Sequence, residues 1–220
     1  EKPLNVLLLG GGDFIPMRFL GAHANVAAVD HVDIDPEFLE FAKRDDFLRR
    51  LHQGAHDDPR LNTIIADAMS YIRRSTKRYD LILLDLPGLV QDKLLPLYSV
   101  EFYLLLQKRL APEGLIVSWI YREKNQPQHV QIVLQTAREA GLTHAARYSS
   151  FGSDGGFSYA QDRFVVFSPG HTPALRSERT PYTQRWSRAY DAVRWSETRR
   201  NDAFRVNSVF RPNPRLVVRQ

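Results

Sequence analysis

The sequence predicts an α/β domain: a mostly parallel, twisted sheet covered by helices, with an antiparallel hairpin at its C-terminal end. Three observations predict it. Short apolar runs alternate with amphipathic segments along most of the chain, the pattern of buried strands joined by helices. A glycine loop, Gly10-Gly11-Gly12-Asp13, follows the first run, and an acid, Asp33, closes the second roughly 20 residues on, as in nucleoside-binding α/β folds. Two late runs flank the glycine-rich turn Gly152–Gly156 and read as a hairpin.

In chain order, the first strand is Asn5–Leu9, uniformly apolar over Val6-Leu7-Leu8-Leu9. Further strands fall at Ala27–Asp33, Leu61–Ile65, Asp80–Asp85, Leu115–Ile120 and Arg163–Phe167, with Thr143–Tyr148 as the hairpin partner of the last. A helix over Pro36–Gln53 returns Phe38, Leu39, Phe41, Ala42, Leu48 and Leu51 at helical spacing, and Pro sits at its first position, where the missing N–H costs nothing. Ala68–Arg74 follows Asp67 as a second helix. Ser99–Leu110 begins on a Ser cap and stops before Pro112-Glu113-Gly114, and Pro127–Ala140 stops at Gly141. After Pro169 the periodicity weakens, and one helix, Tyr182–Thr198, is expected with Trp186, Tyr190, Val193 and Trp195 on its apolar side. Residues 1–169 are therefore expected to form a nucleoside-binding domain, and residues 170–220 an Arg-rich extension packed on it.

Composition excludes several function classes. The absence of cysteine rules out disulfides, thiolate nucleophiles and cysteine zinc sites, and a reducing compartment is compatible with it. No apolar stretch approaches the roughly 20 residues of a membrane helix. The chain opens on Glu1-Lys2-Pro3 with neither an initiator Met nor a signal peptide, and an upstream part outside this sequence is expected. The net charge of +5 comes from the tail, where His171 to Gln220 holds 11 Arg against 4 Asp or Glu. A solvated surface is the favoured reading of that tail, ahead of a membrane-surface patch. Nucleic acid comes last, because acids rather than bases gather where a ligand would lie.

The glycine loop does not spell the dinucleotide fingerprint, since Phe14 and Ile15 follow Asp13, and an acid there would repel a pyrophosphate. A phosphate-free, positively charged nucleoside such as a sulfonium fits better. Ligands of open parallel sheets lie outside the carboxyl ends of the strands, so Asp13, Asp33, Asp67 and Asp85 are expected to converge there, with Gly10, Gly11 and Gly12 against the cofactor. Asp33 is placed to accept the ribose hydroxyls, and Asp67, before Ala68, to meet the adenine amine while also capping its helix. Asp85, beside the rigid Pro87, is placed to take a proton from an attacking amine, and like-charge neighbours would raise its pKa toward that task. Asp35, before Pro36, reads as a helix N-cap. His52 and His56 stand four apart, but Gly54 interrupts the helix between them and no third ligand is fixed, so a solvated helix end is expected and no metal site.

Several segments together resemble the spermidine synthase family of polyamine aminopropyltransferases. They are Gly10-Gly11-Gly12-Asp13, Val32-Asp33-Ile34-Asp35-Pro36, Asp58-Pro59-Arg60, Asp67-Ala68, Tyr79-Asp80 with Asp85-Leu86-Pro87, and Leu97-Tyr98-Ser99-Val100-Glu101-Phe102-Tyr103. Asp-Leu-Pro at the fourth strand, Ser150-Phe151-Gly152 with Gly156-Phe157, and Val206-Asn207-Ser208 followed by Asn213-Pro214 look like the C-terminal domain of its membrane-fused bacterial branch. The resemblance implies a class I methyltransferase-like (Rossmann-like) fold. It also implies transfer of the aminopropyl group of decarboxylated S-adenosylmethionine to a polyamine such as putrescine, with release of 5′-methylthioadenosine. Carried over, Asp13 meets the amine end of the donor, Asp33 the ribose and Asp67 the adenine, and Asp85 is the catalytic base. Tyr98 and Tyr103 read as packing residues at a helix start, although Tyr98 is close enough in sequence to the Asp85 loop to line the substrate pocket.

The sequence departs from that pattern in four places. Phe14 stands where the family has Gly, bringing a bulky ring close to the donor; Gly88 replaces a second acid; Trp119 stands where a Gln is expected; and the family's small N-terminal β domain is not in this chain. A divergent or incomplete acceptor site is the expectation. Two rivals stay open: a methyltransferase using ordinary S-adenosylmethionine, and a non-catalytic module that binds nucleoside or polyamine. A cytoplasmic location, or the cytoplasmic face of a membrane reached through an upstream segment, and a homodimer complete the expectations.

Overall fold

The chain was analysed as a computed structural model that describes residues 2–87, 92–121, 128–154, 157–170, 194–197 and 206–210. It divides into two compact units, residues 1–87 with 108–116 and residues 88–107 with 117–220.

In the first unit, strands β1 (Leu4–Gly10), β2 (Val26–Asp33), β3 (Leu61–Ile65) and β4 (Tyr79–Asp85) alternate with helices α1 (Ile15–Gly21), α2 (Pro36–Arg44), α3 (Asp46–His52) and α4 (Ala68–Arg74). The strand order is β3-β2-β1-β4-β5, where β5 is Leu110–Tyr121, and the β1–β2, β1–β4 and β2–β3 pairs are parallel. The β1 run is buried without alternation, Val6, Leu7, Leu8 and Leu9 all being fully buried, as in a strand covered on both faces. Val6 and Leu8 pack with Met17 and Leu20 of α1 and with Val26 and Val29 of β2.

The sequence pattern predicts one helix over Pro36–Gln53, and the structure divides it. Asp45 ends α2 in an extended conformation and its carboxylate accepts from the Leu48 N–H at 2.9 Å, so it caps α3. Helical spacing alone cannot register such a break, because the buried Leu39 and Ala42 of α2 and the half-buried Leu48 and Leu51 of α3 continue one helical pattern, even though Phe38, Phe41 and Phe47 are exposed. The segment α1 carries too few turns to be read from periodicity. Its end is tied by Arg60, which pairs with Asp58 and donates to the carbonyls of Gly21 (2.7 Å), His23 (3.1 Å) and Val26 (3.3 Å).

The second unit holds α5 (Val100–Lys108), the later part of β5, α6 (Gln128–Glu139), β6 (His144–Asp154), β7 (Phe157–Ser168) and β8 (Arg194–Glu197), with strand order β5-β7-β6-β8. The predicted hairpin is present, β6 and β7 pairing antiparallel, and β8 adds antiparallel to β6. Residues 194–197 are thus strand, where the sequence pattern predicts the end of a helix; the remainder of Tyr182–Thr198, like most of the Arg-rich extension, lies outside the described residues. Ser99 accepts from the Phe102 N–H as the predicted cap of α5. Asn207 staples this unit: its side-chain amide donates to the carbonyls of Leu95 (2.8 Å) and Tyr98 (2.9 Å), its N–H to Thr136 Oγ1 (3.0 Å), and its carbonyl accepts from the Val100 N–H. Fully satisfied and 1% exposed, it gives the Val206-Asn207-Ser208 signature a structural role.

Candidate active site

The site forms where β1, β2 and β4 end. Gly10 closes β1 with φ 80°, and a Cβ there would stand 2.1 Å from the Asp85 carbonyl oxygen, so the close pairing of β1 with β4 requires glycine. The next two glycines lie against carboxylates. A Cβ on Gly11 would be 3.2 Å from Asp85 Oδ2, and one on Gly12 would be 2.9 Å from Asp33 Oδ2 and 2.9 Å from the Phe38 ring. Asp13 follows, its Oδ1 accepting from the Ile15 N–H at 2.9 Å to start α1. Three carboxylates therefore gather around one short loop.

Burial pushes the Asp85 carboxyl up to about 6, and the Asp13 and Asp33 carboxylates push in the same direction. Asp33 keeps its strand end in shape by accepting from the Asp35 N–H (2.9 Å), and its carbonyl accepts from the Ala66 N–H (2.9 Å), which draws the loop after β3 toward it. Asp35 accepts from the Phe38 N–H at 2.9 Å as the expected N-cap of α2. Asp67 caps α4, with Oδ1 accepting from the Ser70 N–H at 2.8 Å, and Ala68 is buried as the first residue of that helix. The capping reading of Asp67 is thus realised with one of its oxygens.

Phe14 behaves differently from expectation. Its ring is fully buried and packs with Leu39 and Ala42 of α2, so it presents no surface to an open crevice. Tyr98 belongs to the second unit, at the end of the short 3-10 helix Asp92–Tyr98, and is 3% exposed. Gly88 lies outside the described residues. His52 is fully buried, which corrects the solvated helix end expected for it: Nε2 meets the Ala42 carbonyl at 3.1 Å and Nδ1 accepts from the Gly54 N–H at 3.2 Å. Among the described residues no group of three His, Cys, Asp or Glu is placed to hold a metal, and no helix is long and apolar enough to cross a membrane. Sequence reading missed His31, fully buried on β2 two residues before Asp33; alternation along β2 puts it on the face of Asp33, and that periodicity was the available signal.

Strand order and the antiparallel hairpin define a class I methyltransferase-like fold, with carboxylates rather than a phosphate cradle at its glycine loop. The spermine/spermidine synthase domain family matches residues 1–150, and the chain belongs to that family. It is 34% identical over 176 residues to polyamine aminopropyltransferase 1 of Streptomyces coelicolor, covering 80% of this chain and 32% of that protein. The crystal structure of spermidine synthase from Thermotoga maritima superposes with a TM-score of 0.61 at 21% identity, covering 77% of this chain and 54% of that one. The SAM-dependent methyltransferase from Agrobacterium tumefaciens superposes with a TM-score of 0.55 at 24% identity, over 77% of this chain and 57% of that one. The chain spans less than two thirds of the length of these relatives.

Proposed function

We propose that this chain carries the donor site and the catalytic base of a polyamine aminopropyltransferase. The donor is decarboxylated S-adenosylmethionine and the acceptor a polyamine such as putrescine. The observation that carries this reading is the gathering of Asp13, Asp33 and Asp85 on the glycine loop, with Asp85 raised to about 6. Such a loop suits a cationic nucleoside without phosphate, and a carboxylate with that affinity for a proton is both ionised near neutrality and basic enough to accept one.

In the proposed reaction the neutral amine nitrogen attacks the aminopropyl carbon bound to the sulfonium sulfur. The C–S bond breaks with its electron pair going to sulfur, which leaves as the neutral thioether of 5′-methylthioadenosine. Asp85 takes the proton that the new secondary ammonium sheds. Asp33 holds the ribose, Asp67 and Ala68 the adenine edge, Gly10 to Gly12 admit the nucleoside to the backbone, and Asp13 pairs with the amine arm. Positioning and a preset field then supply most of the rate for an in-line displacement. Tyr98 is assigned to the substrate side for its closeness in sequence to the Asp85 loop. The relatives are longer than this chain, and we assign completion of the acceptor site to sequence outside it; a location in the cytoplasm or at the cytoplasmic face of a membrane, and a homodimer, belong to the same proposal.

Incubating the protein with both donors and a panel of amines, with products read by mass spectrometry, tests this reading. Methylthioadenosine with an aminopropylated amine is expected. Formation of S-adenosylhomocysteine would instead establish a methyltransferase, and absence of either product alongside measurable nucleoside binding would establish a binding module.

A further inference from the structure

Phe14, directly after Asp13, has φ 60° and ψ 7°, the left-handed conformation that side chains other than Gly, Asn and Asp seldom adopt. Something must hold it there, and the ring contacts show what does. Three histidines surround the ring: His31 of β2 edge-on at 5.3 Å between centroids, His52 of α3 edge-on at 5.9 Å, and His56 at 5.8 Å, with His52 and His56 themselves edge-on at 4.9 Å. We propose that Phe14 is a positioning residue for the glycine loop, clamped by a box of three neutral histidine rings, and that acid opens the box and loosens the segment carrying Asp13. Its bearing on donor binding rests on the aminopropyl-transfer reading above.

Two of the rings carry buried nitrogens without a hydrogen-bond partner, His31 Nε2 and His56 Nδ1. A proton added to a ring in that position places a charge where burial has removed the water that would hydrate it. The groups facing each ring are few. His31 faces the Thr63 hydroxyl at 3.5 Å, the Gly10 carbonyl and the carboxylates of Asp33 and Asp13; burial holds its ring below the usual imidazole range despite the carbonyl and both acids. His56 faces Asp57, 3.3 Å away and largely exposed, together with His52, Lys43 of α2 and Arg49 of α3. Burial lowers His56 too, with the cationic neighbours adding to it and Asp57 opposing. His52 is held by the Ala42 carbonyl and the Gly54 N–H in the tautomer with its proton on Nε2. Because the closed box binds protons less readily than an open one, its contribution is present above the ordinary histidine range and is lost as pH falls below it.

Two amides report the loop directly. The Phe14 N–H donates to the Gly11 carbonyl and the Ile15 N–H to Asp13 Oδ1, each at 2.9 Å. Hydrogen exchange of these amides, corrected for intrinsic rate, is compared at about pH 8 and about pH 5.5, with decarboxylated-donor binding measured by calorimetry in parallel. In the unmodified protein, protection of both is expected to fall about tenfold or more on acidification while that of Tyr71, in α4, holds. Phe14→Gly relieves the backbone yet removes the ring, so it should lose a similar factor already at the higher pH and weaken donor binding by about tenfold, while Phe14→Leu restores most of both. Equal protection at the two pH values, or a Phe14→Gly loop as protected as the parent, would overturn the clamp. Donor binding at the higher pH with pH-independent protection sinks the clamp and leaves the transfer reading standing. An acid-sensitive loop in a protein that binds no donor at either pH does the reverse.

Discussion

Two carboxylates in the first unit, buried Asp30 within β2 and half-buried Asp85 at the end of β4, meet opposite environments. Asp30, within β2, is held by Lys77 (2.7 and 3.0 Å), Asn62 (2.9 Å), Tyr79 (2.8 Å) and Tyr71 (3.2 Å), and Tyr71 and Tyr79 bond each other at 2.8 Å. These donors outweigh burial and hold its carboxyl below the usual range. Asp85 has acids for neighbours and lies well above that range. A carboxylate whose oxygens are all spoken for is part of the scaffold, whereas one raised by its neighbours has been kept available for a proton. A cavity of about 260 Å³ lined by Asn5, Val6, Ala28, Asp30, Lys77, Arg78 and Tyr79 adjoins the scaffold acid, toward the strand starts.

Replacing each acid by its amide should separate the two roles most sharply. Asp85→Asn is expected to lower turnover by about 10²–10⁴-fold, the usual range for a lost general base, with donor affinity changed only a few-fold. Because Asp85 binds its proton more tightly folded than unfolded, its ionised form works against the fold at neutral pH. The same variant should therefore be more stable, by about 2 kcal/mol, in denaturant titrations. Turnover that survives the change would show the base to be elsewhere.

Asp30→Asn should do the opposite. Lys77 is more than half exposed and its ion pair contributes little, but Tyr79 is buried and would keep a donor without a charged acceptor, so a loss of about 2 kcal/mol is expected with turnover per folded molecule unchanged. The pH dependences also run in opposite directions. Asp30, lowered in the fold, stabilises above the unfolded carboxyl range, and that contribution is lost as pH falls through its folded value. Asp85, raised in the fold, costs stability as pH climbs from the unfolded range to about 6, and turnover should rise over that approach as the base ionises. Asp33→Asn removes one of the like charges and should move the turnover midpoint to lower pH; a midpoint that stays or rises would mean that Asp33 adds nothing to burial and Asp13 in setting Asp85.

The difference between these acids was only partly legible in the sequence. Strand ends, the glycine loop and the capping roles of Asp35 and Asp67 follow from local rules, because apolar runs, glycines and N-caps act over a few residues. The surroundings of Asp30 do not: its partners lie 32 to 49 residues away and converge only once β2, β3 and β4 have paired. Phe14 was misjudged for a related reason. A ring beside the donor loop reads as an obstruction until the fold shows that β2, α3 and the turn around His56 enclose it, and His52 and His56, four apart, read as a polar helix end because the ring they pack against is distant in sequence. The break at Asp45 escaped because a capping acid inside an amphipathic pattern looks like any other polar position on the exposed face.

The smallest expected effect is the most specific. Asp13, like Asp33, has one oxygen already committed, its Oδ1 accepting from the Ile15 N–H, so only the remaining charge is free to select a ligand. Asn keeps an Oδ1 acceptor in that place, and α1 should start as before. What changes is the field at the donor's arm: a carboxylate there favours an arm ending in an ammonium alone and disfavours one that also bears a carboxylate. Asp13→Asn should thus narrow the calorimetric preference for decarboxylated over ordinary S-adenosylmethionine by about tenfold, equivalent to about 1.4 kcal/mol, mostly through weaker binding of the former. The narrowing should itself shrink as salt is raised if the selecting charge is solvent-accessible. An unaltered preference would move donor selection off the loop and leave Asp13 with the helix start alone.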